Sequence, residues 1–249
     1  MAPFWLSLAL LTMASEAADA PPPSPPPRVE TTDLGQRFTL PECLAFVPKG
    51  GKLLNAEGRV DVLLHLHGAA SVVEPAFASS ARTGLLIVFN RQGLSSVYTA
   101  PFRDPGLLSR LLDDARAALR QAGLIQDPAW GRLTLSTFSA GFGGARELLK
   151  SENRDRIHAL VLADSLYCGY EGDPAKRDVD RGLISGFERF ADRAARGESV
   201  LVVSHSAQVP EGYASTTETA DFLIRAVAAR PVQTPSGVWP DGFSPSRRL

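Results

Sequence analysis

Between Arg37 and Ala229 the chain alternates short, nearly unbroken apolar runs with longer stretches of helical periodicity. Val60–Leu66 (VDVLLHL), Leu85–Phe89 (LLIVF), Leu133–Ser136 (LTLS), Ala159–Ala163 (ALVLA) and Val200–Val203 (VLVV) are of the first kind. Runs this short and this continuous predict strands buried on both faces. Pro105 to Ala122 is of the second kind, with Leu107, Leu108, Leu111, Leu112, Ala115 and Leu119 on one stripe and Gly123 placed as the C-terminal cap. Ser215-Thr216-Thr217-Glu218 has the spacing of a capping box ahead of a helix over Ala220–Ala229, with Phe222, Leu223 and Val227 inward. The alternation predicts an α/β fold, a three-layer sandwich with a mostly parallel sheet and helices on both faces. Ligands of such sheets bind at the edge where the parallel strands end.

Ahead of this pattern, Phe4–Met13 is an apolar block followed by small residues ending in Ala18-Asp19-Ala20. That composition predicts a signal peptide over residues 1–20 and an exported protein, secreted or periplasmic. The absence of Lys or Arg before the block and Pro21 just after the A-x-A fit that reading least, and a frayed apolar N-terminus or a mis-assigned start is the alternative. Pro21–Pro27 (PPPSPPP) predicts an extended polyproline II spacer of ~3.1 Å per residue. Residues 21–36 are read as spacer and 37–249 as one domain.

Composition narrows the function. With 44% hydrophobic and 21% charged residues the chain is not of the disordered class, and 26 basic against 27 acidic residues argue against a nucleic-acid partner. No apolar run reaches the length of a spanning helix, so no stable membrane insertion is expected once the signal is removed. Phosphate-loop, dinucleotide and metal-ligand patterns are missing from the sequence, so neither cofactor nor metal is expected. Cys43 and Cys168 are read either as one disulfide or as two buried thiols, because spacing alone does not report their separation.

Four of the predicted strands end in residue types suited to acyl transfer: His67-Gly68, Ser139, Asp164 and His205. Ser139 lies in Thr137-Phe138-Ser139-Ala140-Gly141-Phe142-Gly143-Gly144, which passes from a strand into the helix-forming Ala145–Lys150. A serine hydroxyl attacks only when it is exposed and close to a base, and a sharp strand-to-helix turn exposes it. Gly141 supplies the small residue that such a turn needs, whereas Thr137 is larger than the usual glycine. A plain glycine-rich connection is the alternative.

Val60–Leu66 running into His67-Gly68-Ala69-Ala70, with the serine elbow on a later strand, resembles the α/β-hydrolase superfamily over roughly Arg37 to Ala229. The likeness is greatest to its compact esterase and polyester-depolymerase-like members, in which a segment such as Ala45–Gly51 precedes the His-Gly strand. The resemblance implies Ser139 as nucleophile, the backbone N–H groups of Ala69 and Ala140 as oxyanion hole, Asp164 as acid and His205 as base. It also implies that His67 shapes its turn; His65 reads as a core residue and His158 as a surface one. Most relatives carry the acid after the seventh strand and the histidine after the eighth, whereas His205 here follows what counts as the seventh strand and Asp164 the one before it. The sheet is therefore expected to lack its last strand. His205 is the base, or else a substrate-binding or structural residue; Asp164 is the acid, or else a strand-end turn residue. The polar stretch Tyr170–Gly182 predicts a small lid over an open cleft. The implied function is a secreted serine hydrolase that cleaves carboxylic esters, on a small molecule or a polymer, through an acyl-enzyme. The alternative is a catalytically impaired protein of this fold that binds a ligand or partner.

Overall fold

A computed structural model describes residues 28–80, 83–228, 232–233 and 247–248. The expected signal peptide, Pro21–Pro27 and Ala229 lie outside the described residues. The sheet begins with β1 (Arg28–Thr31), β2 (Gly35–Thr39) and β3 (Leu44–Pro48), paired antiparallel. β1 and the start of β2 thus fall before the expected domain boundary at residue 37. All four residues of β1 are exposed, so no buried face marked it as a strand.

The chain continues through β4 (Val60–Leu66), α1 (Ala70–Ser79), β5 (Leu85–Phe89), α2 (Ser96–Phe102), α3 (Leu107–Gln121) and β6 (Trp130–Phe138). Next come α4 (Phe142–Lys150), β7 (Ile157–Ala163), α5 (Arg181–Ala195), β8 (Val200–Ser204) and α6 (Thr216–Ala226). The sheet order is β1-β2-β3-β5-β4-β6-β7-β8, with β5, β4, β6, β7 and β8 parallel. β8, the strand before His205, is eighth in chain order only because β1 adds a strand at the far edge; beyond β6, which carries Ser139, the sheet holds just β7 and β8.

β5 shows why its sequence is continuously apolar. Leu85, Ile87 and Phe89 enter the main core, while Leu86 and Val88 enter a second one with Phe46 and with Phe77 of α1. Both faces of the sheet are covered, so every side chain of the strand is buried. α3 buries Leu107, Leu108, Leu111, Leu112, Ala115, Ala118 and Leu119, each leucine contributing about 1.5–3 kcal/mol. It stops at Gly123, whose φ of 67° lets the Leu124 N–H return to the Leu119 carbonyl at 3.1 Å. β8 departs from expectation: Val200 and Val202 are 48% and 46% exposed, so only one of its faces is packed.

Cys43 and Cys168 are free thiols, both buried, and burial pushes them up to about 12 and about 11. Cys168 donates to the Asp180 carbonyl. The disulfide alternative does not occur.

Candidate active site

β4, β6, β7 and β8 end together. Leu66 pairs with Thr137, Phe138 with Ala163, and Ala163 with Ser204. His67-Gly68, Ser139, Asp164 and His205 consequently leave the sheet in one row. Three of them, on three neighbouring strands, adopt the left-handed backbone region: His67 at φ 67°, Ser139 at 43° and Asp164 at 43°. A side chain in that region is strained, so each reversal must be held by its surroundings.

At Ser139 the surroundings are identifiable. Ser139–Gly141 forms a single tight turn before α4. A Cβ on Gly141 would lie 2.4 Å from the Leu66 carbonyl oxygen, and one on Gly144 would lie 2.6 Å from Leu66 Cδ1. Only glycine lets α4 come this close to β4. Thr137 and Ser165 are both fully buried, and their hydroxyls make a chain. Thr137 Oγ1 donates to Ser165 Oγ at 2.8 Å, and Ser165 Oγ donates to the Ser139 carbonyl at 2.8 Å. The residue that is larger than the usual glycine thus ties the serine turn to the Asp164 turn. The size of Thr137 was visible in the sequence; Ser165 gave no signal there.

On the β4 side, Ala69 has extended backbone and precedes α1 without a side-chain cap. Its N–H has no backbone acceptor among the described residues. The Ala140 N–H lies in the turn that follows Ser139. His65 is buried, its Nδ1 is 3.1 Å from Ser136 Oγ, and burial lowers its pKa to about 4. It lies under Gly68, where a Cβ would meet His65 Nε2 at 2.5 Å. His67 Nδ1 pairs with the Tyr98 hydroxyl at 2.8 Å, and its ring stacks on Phe138 at 6.0 Å. Burial lowers the His67 pKa as well. His158 is the second residue of β7, at the opposite end of the sheet from the row.

Asp164 and His205 lie on adjacent strands but do not bond to each other. Asp164 Oδ2 accepts from Ser206 Oγ at 2.7 Å. The exposed His205 ring places Nδ1 2.8 Å from Thr217 Oγ1 and 3.3 Å from the Ser206 carbonyl. Asp164 also faces Tyr167, whose hydroxyl pKa is raised by burial first and by the Asp164 charge second. Among the described residues no imidazole nitrogen hydrogen-bonds the Ser139 hydroxyl. Sequence reasoning missed Ser206 as the partner of Asp164. It had Thr217 only as part of the capping box.

Apolar side chains surround the row. Leu94, Val72 and Val209, the most exposed large hydrophobics, sit on segments that follow β5, β4 and β8. Phe138 and Tyr213 are exposed too, and Tyr167 packs edge-on between Phe142 and Tyr213. A 310 Å³ cavity beside the turn after β4 is lined by Leu40, Cys43, Ala70, Val88, Asn90 and Arg91, among others. The expected lid is short: Tyr170–Gly182 holds one turn of helix and the start of α5.

The crossover that sets β5 between β3 and β4, and the serine elbow leaving the middle of the parallel run, decide the architecture. The chain has the α/β-hydrolase fold. No family model matches it, and no curated protein matches it in sequence. Solved α/β-hydrolase structures are similar in shape. A poly(3-hydroxybutyrate) depolymerase from Bordetella parapertussis is 14% identical, with a TM-score of 0.45 over 80% of this chain and 75% of that one. The ferric enterobactin esterase of Salmonella typhimurium is 12% identical, with a TM-score of 0.49 over 82% and 50%. A thermostable esterase is 14% identical, with a TM-score of 0.45 over 81% and 51%. The chain thus spans three quarters of the depolymerase and about half of each esterase. Among the described residues of this α/β-hydrolase fold, no cluster of His, Cys, Asp and Glu could hold a metal ion, and no helix is long and apolar enough to cross a membrane.

Proposed function

We propose that the protein is an exported serine hydrolase that cleaves carboxylic esters through an acyl-enzyme. The observation that carries this is Ser139 at φ 43°, turned out of the sheet edge between two further strained strand ends. His205 Nε2 takes the Ser139 proton as the hydroxyl oxygen attacks the ester carbonyl carbon. The Ala69 and Ala140 N–H groups hold the oxyanion of the tetrahedral intermediate, and each such donor typically supplies about 2.7–4 kcal/mol. The intermediate collapses, the alcohol leaves with the proton from His205, and water hydrolyses the acyl-enzyme by the same steps in reverse. Asp164 acts on His205 through Ser206. The exposed apolar residues around the row and the short lid favour an apolar ester, free or on a polymer chain.

A fluorophosphonate probe tests this reading. Wild type should be labelled on Ser139 and Ser139→Ala should not; undiminished labelling of Ser139→Ala, or none of wild type, overturns it. One observation favours a second reading, that of a catalytically impaired binding protein: among the described residues no imidazole is hydrogen-bonded to Ser139. Wild type that takes up no probe is the result that reading requires.

A further inference from the structure

The contacts of His205 differ from those of a histidine held by a carboxylate. Its Nδ1 meets Thr217 Oγ1 at 2.8 Å and the Ser206 carbonyl at 3.3 Å, and no carboxylate lies within bonding distance of the ring among the described residues. The Ser206 carbonyl can only accept. The Thr217 hydroxyl can accept or donate. Both contacts are favourable together only when Nδ1 carries the proton, which leaves the lone pair on Nε2. That is the tautomer a base needs toward a serine hydroxyl.

Thr217 is itself firmly placed. It is the second residue of α6, two after the cap at Ser215, whose side chain and Glu218 satisfy each other's backbone N–H groups. Glu218 is clamped by Arg177 through two bonds of 2.6 and 2.8 Å, and its pKa falls to about 2, chiefly through that guanidinium. Thr216 Oγ1 accepts from the Leu166 N–H, which joins the first turn of α6 to the segment after Asp164. The first turn of α6, which carries Thr217, is thus tied down from two sides.

We infer that Thr217 is the positioning residue of His205, occupying with a neutral hydroxyl the place that a carboxylate takes in an Asp-held triad. This rests on the serine-hydrolase reading for its catalytic meaning but not for its test. A free histidine side chain favours the Nε2–H form, so an Nδ1–H ring at His205 must be imposed by its partners.

Nitrogen-15 NMR of the His205 ring in the full chain reads the tautomer directly. Wild type should show Nδ1–H, Thr217→Val should shift the ring toward Nε2–H, and Thr217→Ser should keep the wild-type form. Fluorophosphonate labelling of Ser139 should slow at least tenfold in Thr217→Val and less than threefold in Thr217→Ser. A wild-type ring in the Nε2–H form, or a tautomer unchanged by Thr217→Val, overturns the inference. If the tautomer responds as stated but wild-type Ser139 takes no probe, the positioning role stands and the hydrolase reading fails.

Discussion

Removing the Ser165 hydroxyl should cost more than the loss of two ordinary hydrogen bonds. In Ser165→Ala the Thr137 hydroxyl, fully buried, loses its only acceptor, and the half-buried Ser139 carbonyl loses a donor. Each stranded buried group costs ~1–3 kcal/mol, so the variant should be destabilised by about 2–4 kcal/mol. Thr137→Val keeps the shape of the side chain and leaves Ser165 still donating to Ser139, so about 1 kcal/mol is expected. The double variant strands only the Ser139 carbonyl. It should therefore be no less stable than Ser165→Ala alone, although the two single effects would predict a larger loss. Urea unfolding with a shared slope measures all three. Strictly additive losses, or a Ser165→Ala variant within ~0.5 kcal/mol of wild type, would show that the hydroxyl chain does not hold the elbow.

Two further outcomes follow from the same edge of the sheet. Gly141→Ala sets a methyl 2.4 Å from the Leu66 carbonyl oxygen, which is main chain and cannot swing away; a loss of ~3 kcal/mol, the upper end of overpacking, is expected in thermal unfolding. Gly212→Ala, with nothing within 4 Å, serves as the neutral control, and equal melting of the two variants refutes the packing argument. His65 takes up its proton only near pH 4 when folded, against 6.5 as a model side chain, because burial disfavours the charged ring. The unfolded chain therefore binds the proton first, and stability falls as pH drops from 6.5 to 4, by up to about 3 kcal/mol. His65→Asn should flatten that part of the profile in urea titrations, and an unchanged profile would refute the assignment.

The parallel strands were legible because each is packed from above and below. β4 and β5 match their apolar runs end to end, and β6 and β7 extend theirs by a few residues, Ile157 and His158 in the case of β7. β1 was hidden because none of its residues is buried. α5 was hidden because its N-cap, Asp180, falls inside the stretch read as lid. Apolar sequence also overstated β8, whose exposed valines look no different in the chain from buried ones. That His67, Ser139, Asp164 and His205 stand at strand ends was legible, since each closely follows an apolar run. Their contacts were not. Thr137 meets Ser165 only through the register of β6 on β7, and Thr217 meets His205 only because the loop after β8 turns back on itself.

Why should three neighbouring strands all end in strained residues? A left-handed conformation costs a side-chain-bearing residue roughly 1–2 kcal/mol, and glycine would remove the cost at any one of these positions. None of the three is glycine, so each carries a side chain that the turn presents at the price of strain. Each turn is also held by bonds of its own. His67 is pinned by Tyr98, Ser139 by the hydroxyl chain from Thr137, and Asp164 by its N–H on the Ser204 carbonyl and by Ser206 on its carboxylate. Surroundings that over-determine a strained backbone are what a preorganised site needs, because the cost is met at folding and not again when a substrate binds. The His67 ring, the Ser139 turn and the Asp164 carboxylate are thus held in a row by the fold itself. His205, exposed and held among the described residues by Thr217 and the Ser206 carbonyl, is the one member of the row that no left-handed turn fixes.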